Sequence, residues 1–266
     1  MDKPSFTLDS LFQSDWLDLL RCLPDGSVNL VLSDLPYGVT ACDWDTKIDL
    51  AQWWLECKRI LAPRGAVVMT ATQPFTTDLI VSNRKWFKYE WIWEKAYGTN
   101  FMNAWHAPLK VHENVLVFYD DADFTPQTEI GAPYRATSGT AERKYIANAK
   151  AANGYNTVNT GFRMPRSIIK FNNEVGTHPT QKPVDLFRYL IRTYTHEGAL
   201  VVDPFVGSGT TAAAAKIENR RYICGDQSAE YIEIARRRVM PEFGKPPKRV
   251  KPEAPLSDLP MFADLE

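Results

Sequence analysis

Ala199-Leu-Val-Val-Asp-Pro-Phe-Val-Gly-Ser-Gly-Thr-Thr211 is the stretch from which the fold of this chain is read. Its apolar, β-branched start, closed by Asp203, predicts a buried strand. Pro204, Gly207 and Gly209 then predict a tight turn, and the run from Thr210 to Glu218 a helix. A further strand over Tyr222–Gly225 ends at Asp226, and an Arg-rich helix covers Tyr231 to Val239. The same alternation recurs upstream. A strand ending at Asp15 precedes a helix carrying Trp16, Leu19, Leu20 and Leu23. A strand over Ser27–Ser33 precedes a helix from Leu50 to Leu61, stopped by Pro63-Arg64-Gly65. A strand over Ala66–Ala71 precedes a helix starting near Phe75, and another helix runs from Val184 to His196 with Leu186, Leu190 and Tyr194 on one face. Repeated strand–helix pairs predict an α/β fold built on a parallel, doubly wound sheet. Lys88–Lys95 and Asn114–Tyr119 read as strands with no convincing helix between them, which predicts an antiparallel hairpin at one edge.

Glycines let backbone approach a ligand closely, and the N-terminus of the helix that follows favours an anionic group. A phosphate loop needs a lysine directly after its last glycine, but Gly209 is followed by Thr210. A dinucleotide site needs Gly-x-Gly-x-x-Gly, but Gly207-Ser-Gly209 is followed by Thr210, Thr211 and Ala212. Asp226, at the end of the next strand, stands where a ribose diol is held. These residues suit an adenosine ligand with a carboxylate and no pyrophosphate, namely S-adenosylmethionine. Taken alone, a Gly-x-Gly turn also serves simple packing.

A second strand end carries chemistry of its own. Ser33-Asp-Leu-Pro-Tyr-Gly38 closes the 27–33 strand with an acid, a proline-fixed backbone and an aromatic ring. In an open parallel sheet the carboxyl ends of the strands are where ligands bind. An acceptor side chain, exposed carbonyls and an aromatic face suit a planar ring bearing an exocyclic amino group. The tetrapeptide by itself also reads as a strand-ending turn.

Asp34-Leu-Pro-Tyr37, His178-Pro-Thr-Gln-Lys-Pro183 and Asp203-Pro-Phe-Val-Gly-Ser-Gly209, in that order, resemble the amino-group DNA methyltransferases, which methylate adenine N6 or cytosine N4. The catalytic motif precedes the cofactor motif, with a recognition region between them, as in the permuted β group. The resemblance extends from about Leu11 to Arg238 and implies the Rossmann-like fold of S-adenosylmethionine-dependent methyltransferases. It implies that Asp34 and the carbonyl of Leu35 accept hydrogen bonds from the target amino group. Pro36 belongs to the same catalytic loop, and Tyr37 stacks on the flipped-out base. The resemblance further implies that Phe205, Gly207 and Gly209 line the cofactor, with Asp203, Ser208 and Thr210 in the same turn. By the same resemblance Asp226 is expected to meet its ribose, Asp15 its adenine amino group, and Lys182 to lie beside its methionine moiety. Leu35 stands where members usually carry proline, and Asp226 where glutamate is more frequent. Aspartate at Asp34 favours adenine, because cytosine-N4 members more often carry serine there. Transfer to cytosine N4, and a non-catalytic S-adenosylmethionine-binding protein that holds DNA, are the alternative readings.

Composition sets the remaining bounds. The 266 residues, 44% hydrophobic and 24% charged, suit one large α/β domain with an insertion. The expected parts are a catalytic half over 1–119, a target-recognition insertion over 120–177, a cofactor-binding half over 178–240 and a flexible, proline-rich tail over 241–266. No apolar run reaches the ~18 residues of a membrane span, and the N-terminus lacks the regions of a signal peptide. Cys22, Cys42, Cys57 and Cys224 have no Cys-x-x-Cys spacing, so neither a metal site nor a disulfide framework is expected, and the reducing cytoplasm is the expected compartment. Net charge is −1, yet between Arg135 and Lys170 the residues Arg135, Arg143, Lys144, Lys150, Arg163, Arg166 and Lys170 face one acid, Glu142. Such asymmetry allows one basic face, also compatible with ordinary solvated surface. From it, Arg135, Arg143, Lys144, Lys150, Arg163 and Arg166 are expected to contact double-stranded DNA. A homodimer and a cognate restriction endonuclease are further partners compatible with the group. Trp53, Trp54, Trp91 and Trp93 are expected in the core, and His106, His112 and His196 have no ligand spacing. Glu113-Asn114-Val115 matches a tripeptide of the cytosine-C5 methyltransferases. Those enzymes use a cysteine after proline, and with no Pro-Cys pair in this chain the match reads as chance.

Overall fold

A computed structural model of the chain describes residues 7–36, 48–137, 156–174 and 181–239. Its elements follow the hydrophobic pattern closely in the first half. Strand β1 (Ser10–Gln13) leads into α1 (Trp16–Cys22), and β2 (Val28–Ser33) is followed by α2 (Leu50–Ile60), β3 (Leu61–Ala71) and α3 (Phe75–Ser82). The hairpin strands are β4 (Phe87–Thr99) and β5 (Lys110–Phe118). The insertion holds β6 (Glu129–Ile130), β7 (Tyr134–Thr137), β8 (Asn156–Asn159), β9 (Phe162–Arg163) and β10 (Ile168–Phe171). The chain then forms α4 (Val184–Tyr194), β11 (Leu200–Asp203), α5 (Thr210–Ile217), β12 (Arg221–Asp226) and α6 (Ala229–Val239).

Eight strands form one sheet in the order β1-β12-β11-β2-β3-β5-β4-β10. All pairings are parallel except those of β5, which runs against both β3 and β4. The expected hairpin is therefore present. The outermost position, however, belongs to β10, which pairs parallel with β4 through Ile168↔Ile92 to Phe171↔Lys95. No local pattern announces that placement, because it depends on a partner far upstream in the chain. In the small sheets of the insertion, β6 pairs with β9 and β7 with β8, both antiparallel.

The alternation of side chains along each strand builds two cores. Leu30, Leu32, Val68, Val115 and Val117 face one side, where Leu186, Leu190, Tyr194 and Ala214 of α4 and α5 cover them. Val31, Val67, Met69, Leu116 and Phe118 face the other, against Leu19, Trp53, Trp54, Ile60 and Leu79 of α1, α2 and α3. The tryptophans at 53, 54, 91 and 93 are buried as expected. A helix start at Leu50 is enforced by Asp49, whose carboxylate accepts from the Ala51 and Gln52 amides. The Pro63-Arg64-Gly65 break is a bulge within β3, with Arg64 at φ 64° and a register shift between Val28 and Leu30.

This order places a switch point. From β2 the chain winds outward to β3 on one side, and from β11 to β12 on the other, so the crevice lies between the carboxyl ends of β2 and β11. Both motif-bearing strand ends meet there. Among the described residues no helix is long and apolar enough to cross a membrane, and no cluster of His, Cys, Asp or Glu is suited to hold a metal ion.

Candidate active site

A cavity of about 310 Å³ opens at this crevice. Asp15, Asp34, Pro36, Lys182, Asp203, Phe205, Gly207, Ser208, Thr210 and Asp226 all line it, so most of the residues singled out in the sequence converge on one place. Asp203 joins its two halves. Its Oδ1 accepts from Ser33 Oγ at 2.7 Å and from the Phe205 amide at 3.1 Å, and its Oδ2 accepts from Thr211 Oγ1 at 2.5 Å. Burial pushes its pKa up to about 7, and the three hydrogen bonds oppose that rise without cancelling it.

The glycine turn is fastened from below. The Gly207 amide donates to Asp226 Oδ2 at 3.0 Å and the Ser228 amide to Oδ1 at 2.9 Å, so the Asp226 carboxylate is fixed at the rim despite its short side chain. Gly207 has φ +49°, and no atom lies within 4 Å of the place a β-carbon would occupy, so it leaves open space toward the site. Gly209 differs. At φ +87° its β-carbon would stand 2.8 Å from Ala235, so this glycine packs the turn onto α6 and does not line the cavity. The Ser208 and Thr210 hydroxyls both accept from Arg238, at 3.0 and 2.9 Å. Phe205 stacks 6.3 Å from Trp16, forming an aromatic wall. Asp15 caps α1 through the Leu17 amide at 2.8 Å and accepts from Gln227 Nε2 at 2.7 Å.

At the other side of the cavity Asp34 accepts from Thr70 Oγ1 and from Lys182 Nζ, each at 2.5 Å. Lys182, expected beside a methionine moiety, is thus also a partner of Asp34. Burial alone would lower its pKa, but the carboxylates of Asp34 and Glu113 outweigh burial and hold it as a cation. Leu35 is buried in the core shared by α1 and α2 and does not line the cavity with its side chain. Tyr37 lies outside the described residues, as do Arg143, Lys144 and Lys150.

Of the remaining basic residues, Arg135 on β7 and Arg166 before β10 are exposed. Arg163 is committed elsewhere. Its guanidinium binds Asn159 Oδ1 and the Ala132 carbonyl and sits 4.6 Å over the Tyr134 ring. It fastens the insertion internally.

Three residues at the site escape sequence reasoning. Glu113 lies near the start of β5, and because that strand runs backwards its first residues lie at the carboxyl edge, 3.5 Å from Lys182 Nζ. The polar pair Glu113-Asn114 opening the apolar run Val115–Phe118, read above only as a chance tripeptide match, is the available signal. Glu174 accepts from the Val184 amide, Gln181 Nε2 and Arg238 Nη2 at 2.7 to 2.8 Å, and so fixes the segment that carries Lys182. Trp16, which the helix pattern assigns to the core, is the third.

The profile of the DNA methylase family, covering N6 and N4 enzymes, matches residues 28–237. The type II methyltransferase M.HpaI of Haemophilus parainfluenzae is 28% identical over 251 residues, covering 88% of this chain and 74% of that protein. M.BglII of Bacillus subtilis is 26% identical over 257 residues, covering 87% and 69%. Among solved structures, the M1.HpyAVI–SAM complex superposes with a TM-score of 0.60 at 20% identity, covering 86% of this chain and 98% of that one. The cytosine-N4-specific PvuII DNA methyltransferase gives 0.61 at 18% identity, covering 89% and 88%. With the family match running from β2 through most of α6, and so spanning both motifs and the cavity between them, this chain belongs to the N6/N4 DNA methylase family.

Proposed function

We propose that this chain transfers a methyl group from S-adenosylmethionine to N6 of an adenine flipped out of double-stranded DNA. The observation that carries the reading is that Asp34, an acceptor carboxylate, opens onto the cavity built by the Asp203–Asp226 turn. That cavity suits the donor molecule on three counts. The Trp16–Phe205 wall offers aromatic surface, Asp15 and Asp226 supply acceptors for amino and hydroxyl groups, and Gly207 leaves room for close approach. When bound, S-adenosylmethionine supplies an electrophilic methyl group on sulfur. The chain's own residues do the rest. Asp34, with the Leu35 carbonyl, would accept hydrogen bonds donated by the exocyclic amino group and so orient its lone pair. Pro36 would limit the freedom of that loop, and Tyr37 would stack on the base. Asp203 holds the two halves of the site together through Ser33 and Thr211.

The surface offered to duplex lies on the same edge. Residues 100–109 join β4 to β5 there and present Phe101, Met102 and Trp105, the last 94% exposed. No acid occurs between Glu94 and Glu113, while His106, Lys110 and His112 in that stretch are all exposed. With Arg135 and Arg166 these residues supply apolar, aromatic and basic groups of the kind that fill and hold an opened duplex. A cognate endonuclease is compatible with relatives named as type II methyltransferases. Mass spectrometry of nucleosides from DNA methylated by the purified chain tests the reading. N6-methyladenine is expected; N4-methylcytosine would move the target, and the absence of both products would overturn the activity.

A further inference from the structure

Lys182 stands between two carboxylates at unequal distances. Its Nζ donates to Asp34 Oδ2 at 2.5 Å and lies 3.5 Å from Glu113 Oε2. Glu113 is buried near the start of β5, with Oε1 paired to Lys95 Nζ and Oε2 lacking a hydrogen-bond partner among the described residues. A carboxylate oxygen withdrawn from water without a donor is costly, and folded proteins seldom keep one. Asp34, meanwhile, already accepts from Thr70 Oγ1 and from Lys182, so an incoming amino group competes with the lysine for its lone pairs.

We propose that Glu113 is a positioning residue, the second seat of the Lys182 ammonium, which draws it off Asp34 when the target amino group arrives. The move is short. The Lys182 backbone is anchored by Thr210 Oγ1, which donates to its carbonyl at 3.2 Å, while the side chain retains its flexible four-carbon stem. The four charges alternate as Asp34, Lys182, Glu113 and Lys95, so the transfer changes partners without changing net charge. In the absence of base, Lys182 satisfies Asp34; with base bound, it satisfies Glu113 Oε2. The inference rests on the proposed amino-group methylation.

Single-turnover methylation by purified Glu113→Gln, Lys182→Met and the double variant tests it. Glu113→Gln should remain folded by thermal melting and bind S-adenosylmethionine as wild type does. Its methyl-transfer rate should fall by about 10²-fold, the scale of a misplaced reacting group, with KM for DNA little changed. In the Lys182→Met background the same substitution should cost nothing further, because there is no ammonium left to reseat. Additive losses from Glu113→Gln and Lys182→Met, or a Glu113→Gln variant with the wild-type rate, would each overturn the assignment. A wild-type chain that methylates no amino group would instead sink the functional reading on which it rests.

Discussion

Asp34 and Asp203 are both acids at strand ends, and their surroundings give them different work. Asp34 lines the cavity and accepts hydrogen bonds from side chains of β3 and of the segment before α4. Its replacement by alanine should lower single-turnover methylation on the order of 10²–10³-fold, the usual cost of removing a positioned transition-state partner. Cofactor affinity, measured in parallel by calorimetry, should be nearly unchanged; wild-type turnover would remove Asp34 from the chemistry. Asp203 is buried, and its pKa is raised from 3.8 to about 7, chiefly by that burial. The folded state therefore holds a proton there that the unfolded chain releases near pH 4. The associated stability is present in full below that pH and is lost as pH rises through about 7. Because a tenfold change in proton affinity is worth about 1.4 kcal/mol, the contribution is on the order of 4 kcal/mol. Denaturant titrations of wild type and Asp203→Asn across this window should show the wild-type advantage shrinking with pH. A constant difference would mean that Asp203 keeps one charge state throughout.

At the scale of elements, the turn between β11 and α5 divides its two glycines between cavity and packing. Gly207→Val should weaken S-adenosylmethionine binding with modest loss of stability, because the added atoms enter open space beside Asp226 while φ is strained. Gly209→Ala should instead lower the melting temperature, because its β-carbon meets Ala235 of α6. Calorimetry and melting curves of the two variants separate these effects, and equal affinity losses in both would contradict the division. The sequence pattern cannot make this distinction, since both glycines have positive φ and differ only in what faces them. The elements themselves are legible because burial writes itself locally: the Val28–Ser33 and Leu200–Asp203 runs are apolar on both faces, as central parallel strands must be. Contacts across the chain are not legible. Ser33 and Asp203 bond across 170 positions, and Lys182 reaches Asp34 across 148. Glu113 escapes for the same reason, because its place at the site follows from the direction of β5 and from nothing adjacent to it.

For the molecule as a whole, the question is where recognition separates from chemistry. The expected insertion, 120–177, is bound into the core at both ends. Near its start, Phe124 stacks 6.5 Å from Trp91, the Thr125 amide donates to the Thr193 carbonyl at 2.7 Å, and Asp123 pairs with Arg64 at 2.5 Å. Near its end, β10 completes the main sheet, Trp93 Nε1 donates to the Phe171 carbonyl at 2.9 Å, and Glu174 orients the segment bearing Lys182. What remains separable runs from about β6 to Arg166, a region whose described strands pair only with one another. We therefore predict that grafting a relative's segment in place of 128–166 changes the methylated sequence and preserves the transfer rate on that new site, since base contacts specify while the Asp34 cavity is untouched. A graft of the full 120–177 should instead melt early and lose activity on every sequence, because it removes Phe124, β10 and Glu174 together. Sequencing of methylated sites from cells carrying each chimera reads both outcomes. If the shorter graft kept the original site, recognition would reside in the β4–β5 loop, whose Trp105 and Phe101 stand on the same edge of the sheet as Asp34.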